Sequence, residues 1–240
     1  MQQLQLREML GSMQILYMLL VLGIILCLIT YILHWKVGSG DTVLLVGHNG
    51  AGKTTLLLQL EQRGACKGTV TSMKESVGVI KREKIERQLR VVDVPGHPRI
   101  SKGIFVRHCD RAKAIVFLVD SIDFMVQKDQ VAEHLYDVLA SRTISSRKVP
   151  VLLAANKVDC GAKAHSVEFI RKRLEKALDQ LCVTRADVDA EGGEGKVLSK
   201  VERPFSFAGL AMYGSQVTTA SCSALHGDIR EVVHWLSQHG

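Results

Sequence analysis

Aromatic residues are scarce in this 240-residue chain, at 5% of positions. A surface that binds single-stranded nucleic acid stacks bases on aromatic rings, so this scarcity argues against such a platform. The six cysteines (Cys27, Cys66, Cys109, Cys160, Cys182 and Cys222) include no C-x-x-C pair and have no histidines at ligand spacing beside them. That excludes a structural zinc site and a compact disulfide framework, and points to reduced thiols in a reducing compartment. No segment repeats. The 47% hydrophobic and 23% charged content excludes disorder throughout, collagen and a coiled coil, and the length admits one large α/β domain or two small ones. Acidic residues are outnumbered, 24 against 31 Lys and Arg, for a net +7. The basic clusters Lys81-Arg82 and Arg171-Lys172-Arg173 are interleaved with Glu83, Glu86 and Glu175, the pattern of solvated faces. No direct nucleic acid is required to explain the charge.

Charge is absent altogether from Ile15 to Leu33, ILYMLLVLGIILCLITYIL. As a helix, at ~1.5 Å per residue, this run reaches about 28 Å, close to the ~30 Å hydrocarbon core of a bilayer. A signal-peptide apolar region is shorter and ends at a small-residue cleavage site; here the run ends in His34-Trp35-Lys36, an interface anchor. The expectation is an N-terminal region, 1–36, with a single transmembrane helix at about 15–35 and a short linker at 37–40. Arg7 and Lys36 balance each other, so flanking charge does not orient it.

Beyond residue 40 the chain alternates short apolar runs with amphipathic ones. Asp41 to Val46, Leu89 to Val94, Ala114 to Asp120, Val151 to Asn156 and Val217 to Ser221 read as strands; the stretch opening near Lys53, Gln130 to Ser141, Ser166 to Leu181 and Asp228 to Gln238 read as helices. This grammar implies an α/β fold, with a mostly parallel six-stranded sheet covered by helices on both faces, in one domain over 41–240. The glycine-rich, charged stretch at about 187–200 reads as a flexible loop.

The chemistry begins at the end of the first strand. Gly47, His48, Asn49, Gly50, Ala51, Gly52, Lys53 and Thr54, followed by Thr55, fit G-x-x-x-x-G-K-[ST] between a strand and a helix. Glycines there let backbone N–H groups surround phosphates at a helix N-terminus, Lys53 reaches the β- and γ-phosphates, and the Thr54 hydroxyl ligates Mg²⁺. The wording would also suit a transporter-type ATPase, but the LSGGQ-like signature and the strand ending Asp-Glu that such a protein needs are missing.

Asn156-Lys157-Val158-Asp159 decides the base. Its aspartate accepts from the N1–H and 2-amino group of guanine, whereas adenine would leave the carboxylate unpaired. Asn156 holds the loop, and the Lys157 stem lies across the ring. Asp93-Val-Pro-Gly96-His97 fits D-x-x-G: Asp93 approaches Mg²⁺ through water and the Gly96 N–H meets the γ-phosphate, a hydrogen bond that disappears on hydrolysis. His97 stands where many small GTPases carry the glutamine that orients water, and reads either as catalytic or as a surface histidine. Cys222-Ser223-Ala224, after the last of these strands, resembles the fifth element of the GTPases, whose backbone contacts the guanine, with Leu225 where a lysine often follows. The first-switch hydroxyl that completes the Mg²⁺ shell is Thr69, Thr71 or Ser72; Thr71 stands 22 positions ahead of Asp93.

The order GHNGAGKT, TVTS, DVPGH, NKVD, CSA resembles the Ras- and Arf-like small GTPases. With a membrane anchor ahead of the domain, DVPGHPR, AIVFLVDSIDF, VAEHLYDVL and RPFSFAGL, it resembles the family of signal recognition particle receptor β subunits over almost the whole chain. That resemblance implies GTP, GDP and Mg²⁺ as ligands, slow hydrolysis at best, and a single-pass endoplasmic reticulum protein with a cytosolic domain. It also implies that the switch face recruits a soluble α subunit in the GTP state for co-translational targeting. The competing reading is another membrane-anchored Arf/Ras-like GTPase, hydrolysing GTP in trafficking or membrane remodelling.

Overall fold

The computed structural model describes residues 17–28, 40–61, 74–81, 88–185, 198 and 200–240. Residues 17–28 belong to one unit, and Gly40 to Gly240 form the other. The first unit contributes helix α1 (17–28), whose residues are almost all exposed, Tyr17, Met18 and Leu19 among the most so. Twelve helical residues rise only ~18 Å, and among the described residues no helix is long and apolar enough to cross a membrane. The transmembrane span expected at 15–35 is therefore not seen as such; its residues 15, 16 and 29–35, like linker residues 37–39, lie outside the described residues.

The second unit runs β1 (Thr42–Gly47), α2 (Lys53–Leu60), β2 (Ser76–Ile80), β3 (Leu89–Asp93), α3 (Pro98–Cys109), β4 (Ala112–Asp120), α4 (Phe124–Ala140), α5 (Arg142–Ser146), β5 (Val151–Asn156), a 3-10 turn (Val158–Lys163), α6 (Val167–Thr184), α7 (Phe207–Tyr213), β6 (Val217–Ser221) and α8 (Arg230–His239). The six strands lie in the order β2-β3-β1-β4-β5-β6. All pairings are parallel except β2 with β3. The sheet and its helix layers agree with the sequence reading.

The central strands are unbroken apolar runs because both of their faces are covered. In β1, Leu44 and Val46 enter the core beneath α3, α4 and α6, while Val43 and Leu45 enter the core beneath α2 and α8. β4 divides in the same way, Ile115, Phe117 and Val119 to one side and Ala114, Val116 and Leu118 to the other. The covering helices carry one apolar stripe each. In α6, Ile170, Leu174, Ala177, Leu178 and Cys182 are buried at helical spacing, and Ser166 caps the start by accepting the Phe169 N–H.

The strand that sequence periodicity does not announce is β2. It is an antiparallel edge strand, with Val77 and Val79 exposed and Gly78 packed where a Cβ would stand 2.8 Å from Leu57. Helices α3, α5 and α7 were likewise not marked by the apolar pattern; two of them are no longer than seven residues. Positions 187–197 and 199 of the expected loop lie outside the described residues.

Because β1 neighbours β3 on one side and β4 on the other, the chain changes winding direction at β1. A crevice opens there at the carboxyl ends of the strands, bounded by Gly47, Asp93, Asp120 and Asn156, the last residues of β1, β3, β4 and β5.

Phe117 is fully buried mid-sheet and meets His134 edge-on at 5.5 Å. Phe117→Ala is expected to lower unfolding free energy by about 3–5 kcal/mol, read as a fall in the urea midpoint at constant slope; an unchanged midpoint would contradict this account of the core.

Candidate functional site

One cavity of about 270 Å³ occupies the crevice, lined by Asn49, Gly50 and Gly52 to Thr55 of the first loop, by Asp93, Pro95 and Gly96, and by Asn156, Lys157, Asp159, Cys160 and Leu225. The phosphate-type and base-type motifs, more than 100 positions apart in sequence, thus share one cleft.

At the phosphate end, Gly52 has φ +92, and a Cβ on it would stand 2.2 Å from the Asn156 side-chain nitrogen. Only glycine fits that backbone and that approach. Lys53 is buried, and its Nζ donates to the carbonyls of Gly47 at 2.9 Å and His48 at 2.8 Å, curling the loop around the ammonium. The Thr54 hydroxyl donates to Asp93 Oδ2 at 2.5 Å. Gly96 lies so close that a Cβ would meet the Asn49 backbone nitrogen at 2.6 Å, which presses the segment after β3 onto the phosphate loop.

Burial shifts the two charged groups here in opposite directions. Desolvation pulls the Lys53 pKa down to about 8 against the attraction of Asp93. Desolvation likewise raises the Asp93 carboxyl, with the Thr54 hydroxyl and Lys53 opposing. In both cases burial disfavours the charged form. Asp93 Oδ1, Asn49 Oδ1 and His97 Nδ1 are buried without a hydrogen-bond partner among the described residues.

At the other end, Asn156 closes β5 with 2% exposure. Its Nδ2 donates to the Ala51 carbonyl at 2.7 Å, and its Oδ1 accepts the Ala224 N–H at 2.9 Å and the Cys222 thiol at 3.6 Å. Lys157 adopts φ +68, and its Nζ reaches Asp120 Oδ2 at 2.5 Å. Asp159 lines the cavity, its carboxyl held below the usual range chiefly by the Ser223 hydroxyl.

Gly47, Ala51, Ser223 and Ala224 stand behind this lining and act through backbone or through Asn156 and Asp159. His48 lines a second cavity of about 170 Å³ that also touches Gly96 and includes Ser101 and His134. His97 is only partly exposed and lines neither cavity. Thr69, Thr71 and Ser72 lie outside the described residues, so the first-switch hydroxyl is not placed. Sequence reasoning passed over Asp120, which fixes Lys157 while its Oδ1 accepts the N–H groups of Ile122 and Asp123. The signal it offered was that Asp120 ends an apolar strand directly beside Asn156, its register partner. Cys160, one step past Asp159, also went unmarked.

A mostly parallel sheet with the G-x-x-x-x-G-K-[ST] loop at its switch point, and the N-K-x-D segment two strands away, has the arrangement of a P-loop guanine-nucleotide-binding protein. Residues 38–212 match the family described as signal recognition particle receptor beta subunit. The mouse signal recognition particle receptor subunit beta is 32% identical over 230 residues, covering 90% of this chain and 84% of the mouse protein. The human protein of that name is 32% identical over 231 residues, with 89% and 83% covered. Among solved structures, the mammalian SRP receptor superposes with a TM-score of 0.69 at 32% identity, covering 83% of this chain and 100% of that one. A Chaetomium thermophilum complex described as SRb-GTP/SRX shares the fold, with a TM-score of 0.66 at 23% identity and coverage of 84% and 99%. The chain belongs to the signal recognition particle receptor β-subunit family.

Asn156→Ala strands a buried carbonyl and a buried N–H on two separate loops. It is expected to cost about 1–3 kcal/mol of stability, measured by chemical denaturation without nucleotide; a variant as stable as the parent would contradict the linking role of this side chain.

Proposed function

We propose that this chain is the membrane-anchored GTP-binding subunit of the signal recognition particle receptor. In this reading it recruits the soluble α subunit to the endoplasmic reticulum membrane in the GTP state through its switch face. The observation that carries it is the sharing of one cleft by Lys53, Thr54 and Asp93 at one end and Asp159 at the other. Family membership supports the α-subunit partnership, and the exposed apolar helix 17–28 within an uncharged run supports bilayer anchoring.

The residues fit a hard divalent cation beside a triphosphate. Thr54 Oγ1 and Asp93 offer oxygen donors, and Asp93 Oδ1 is buried without a partner among the described residues, the chemistry that Mg²⁺ takes up. Thr54 and a first-switch hydroxyl among Thr69, Thr71 and Ser72 would hold Mg²⁺ directly, and Asp93 through water; the cation would neutralise phosphate charge. Lys53 binds the β- and γ-phosphate oxygens once phosphate replaces its two carbonyl partners. Gly96 donates its N–H to the γ-phosphate, and Asp159 reads guanine while Lys157, steadied by Asp120, covers one face of the ring. His97 orients the attacking water, with turnover slow enough that the product of the cycle is a bound or released partner.

Purified chain in detergent is expected to bind GTP at least about a hundredfold more tightly than ATP, because adenine would leave Asp159 unpaired; equal affinities would sink the reading. Asp159→Asn should move the preference toward xanthine nucleotides, and an unaltered preference would contradict the base-reading role. Lys53→Ala should abolish tight binding by either nucleotide.

A pH dependence follows from the depressed Lys53 pKa. Below about 8 the ammonium is already present and affinity is at its full value; above 8 the unbound protein must take up a proton to bind phosphate. Affinity is expected to fall up to tenfold per pH unit above 8, with calorimetry at pH 8.5 in two buffers of different ionisation enthalpy revealing the uptake. Equal apparent enthalpies in the two buffers would refute it.

A further inference from the structure

The turn after β6 makes an interaction that the nucleotide motifs leave unused. Ser223 to Asp228 is closed by a bridge between its end residues, and within it Ser223 Oγ accepts the His226 backbone N–H at 3.4 Å. The turn folds the His226 imidazole back, so that Nδ1 stands 3.2 Å from Ser223 Oγ and 3.2 Å from Asp159 Oδ2. Two side chains of one turn therefore converge on the carboxylate that faces the cavity. Leu225, between them, lines the cleft and offers no charge.

We propose that His226 is a positioning residue for guanine recognition: its Nδ1–H donates to Asp159 Oδ2 and fixes the carboxylate plane in which both oxygens meet the base. The inference rests on the base-reading role of Asp159 given above. Guanine needs two parallel acceptors, and a carboxylate plane is held only loosely by its own torsion, which has broad wells. A carboxylate has about four acceptor positions. The Ser223 hydroxyl and the His226 N–H each take one of these, which ties the carboxylate to the turn while it lines the cleft. Nearby charges are engaged elsewhere: Arg230 pairs with Asp228 at 3.0 Å, Glu231 accepts the Ser221 N–H, and Lys157 holds Asp120. The Cys160 thiol donates to the same Asp159 Oδ2 at 3.6 Å.

The test compares full-length chain in detergent, wild type and variants, titrated with GDP, ADP and inosine diphosphate, whose base lacks the 2-amino group. His226→Ala is expected to weaken GDP binding about tenfold, the scale of one hydrogen bond to a charged group. It should also shrink the preference for GDP over inosine diphosphate at least threefold, because a swinging carboxylate gives up its second hydrogen bond to the base first. His226→Asn, whose side-chain amide nitrogen takes the place of Nδ1, should restore both values. The proposal is overturned if His226→Ala binds GDP as well as wild type or better, if it weakens both nucleotides equally, or if Asn rescues no more than Ala does. Failure of wild type to prefer GDP over ADP would instead overturn the base-reading role of Asp159 itself. His226 is 64% exposed in its side chain, so both variants are expected to fold, with melting temperatures checked against wild type.

Discussion

The site depends on a single buried amide. Asn156 joins the phosphate loop through Ala51 to the loop after β6 through Ala224, with one hydrogen bond to each. Its backbone is fixed by β5, whose register sets Asp120 beside it. Two loops that arise from opposite ends of the domain sequence are thereby referred to one rigid strand end. Buried polar groups that are fully paired hold their surroundings in one arrangement, and half-paired ones do not. The close approach of Gly52 to the same side chain is the complement of this arrangement: the amide can reach Ala51 only because no Cβ intervenes.

From this fixed frame the electrostatics follow. The phosphate end buries a cation and an anion side by side, and burial drives each toward neutrality. The base end keeps its carboxylate ionised, through hydroxyl contact and nearness to solvent. One end of the cleft therefore holds charges that burial disfavours and the other an ionised carboxylate, two environments that suit the phosphate and base ends of a nucleotide. Gly96, just ahead of α3, is pressed against Asn49 of the phosphate loop.

Much of this was legible in the residues. The strands that carry Gly47, Asp93 and Asn156 are buried on both faces and so read as continuous apolar runs, and the motifs sit at their ends. The edge strand β2 was not legible, since half of its side chains face solvent and its pairing is decided by β3 rather than by its own composition. Asp120 was missed because a lone aspartate closing a strand has no pattern; only the neighbouring register shows that it serves Lys157. His226 was missed for a similar reason: its hydrogen bond is made by the turn and not by spacing. At the N-terminus, an uncharged run of membrane-spanning length is visible in the sequence, while the described helix covers only 17–28.

The central claim is that the state of the nucleotide in this cleft governs association with a partner. It is tested most directly by the affinity of purified α subunit for the full chain loaded with a non-hydrolysable GTP analogue or with GDP. The account predicts at least about tenfold tighter binding, near 1.4 kcal/mol, with the GTP analogue; equal affinity for the two forms would contradict it.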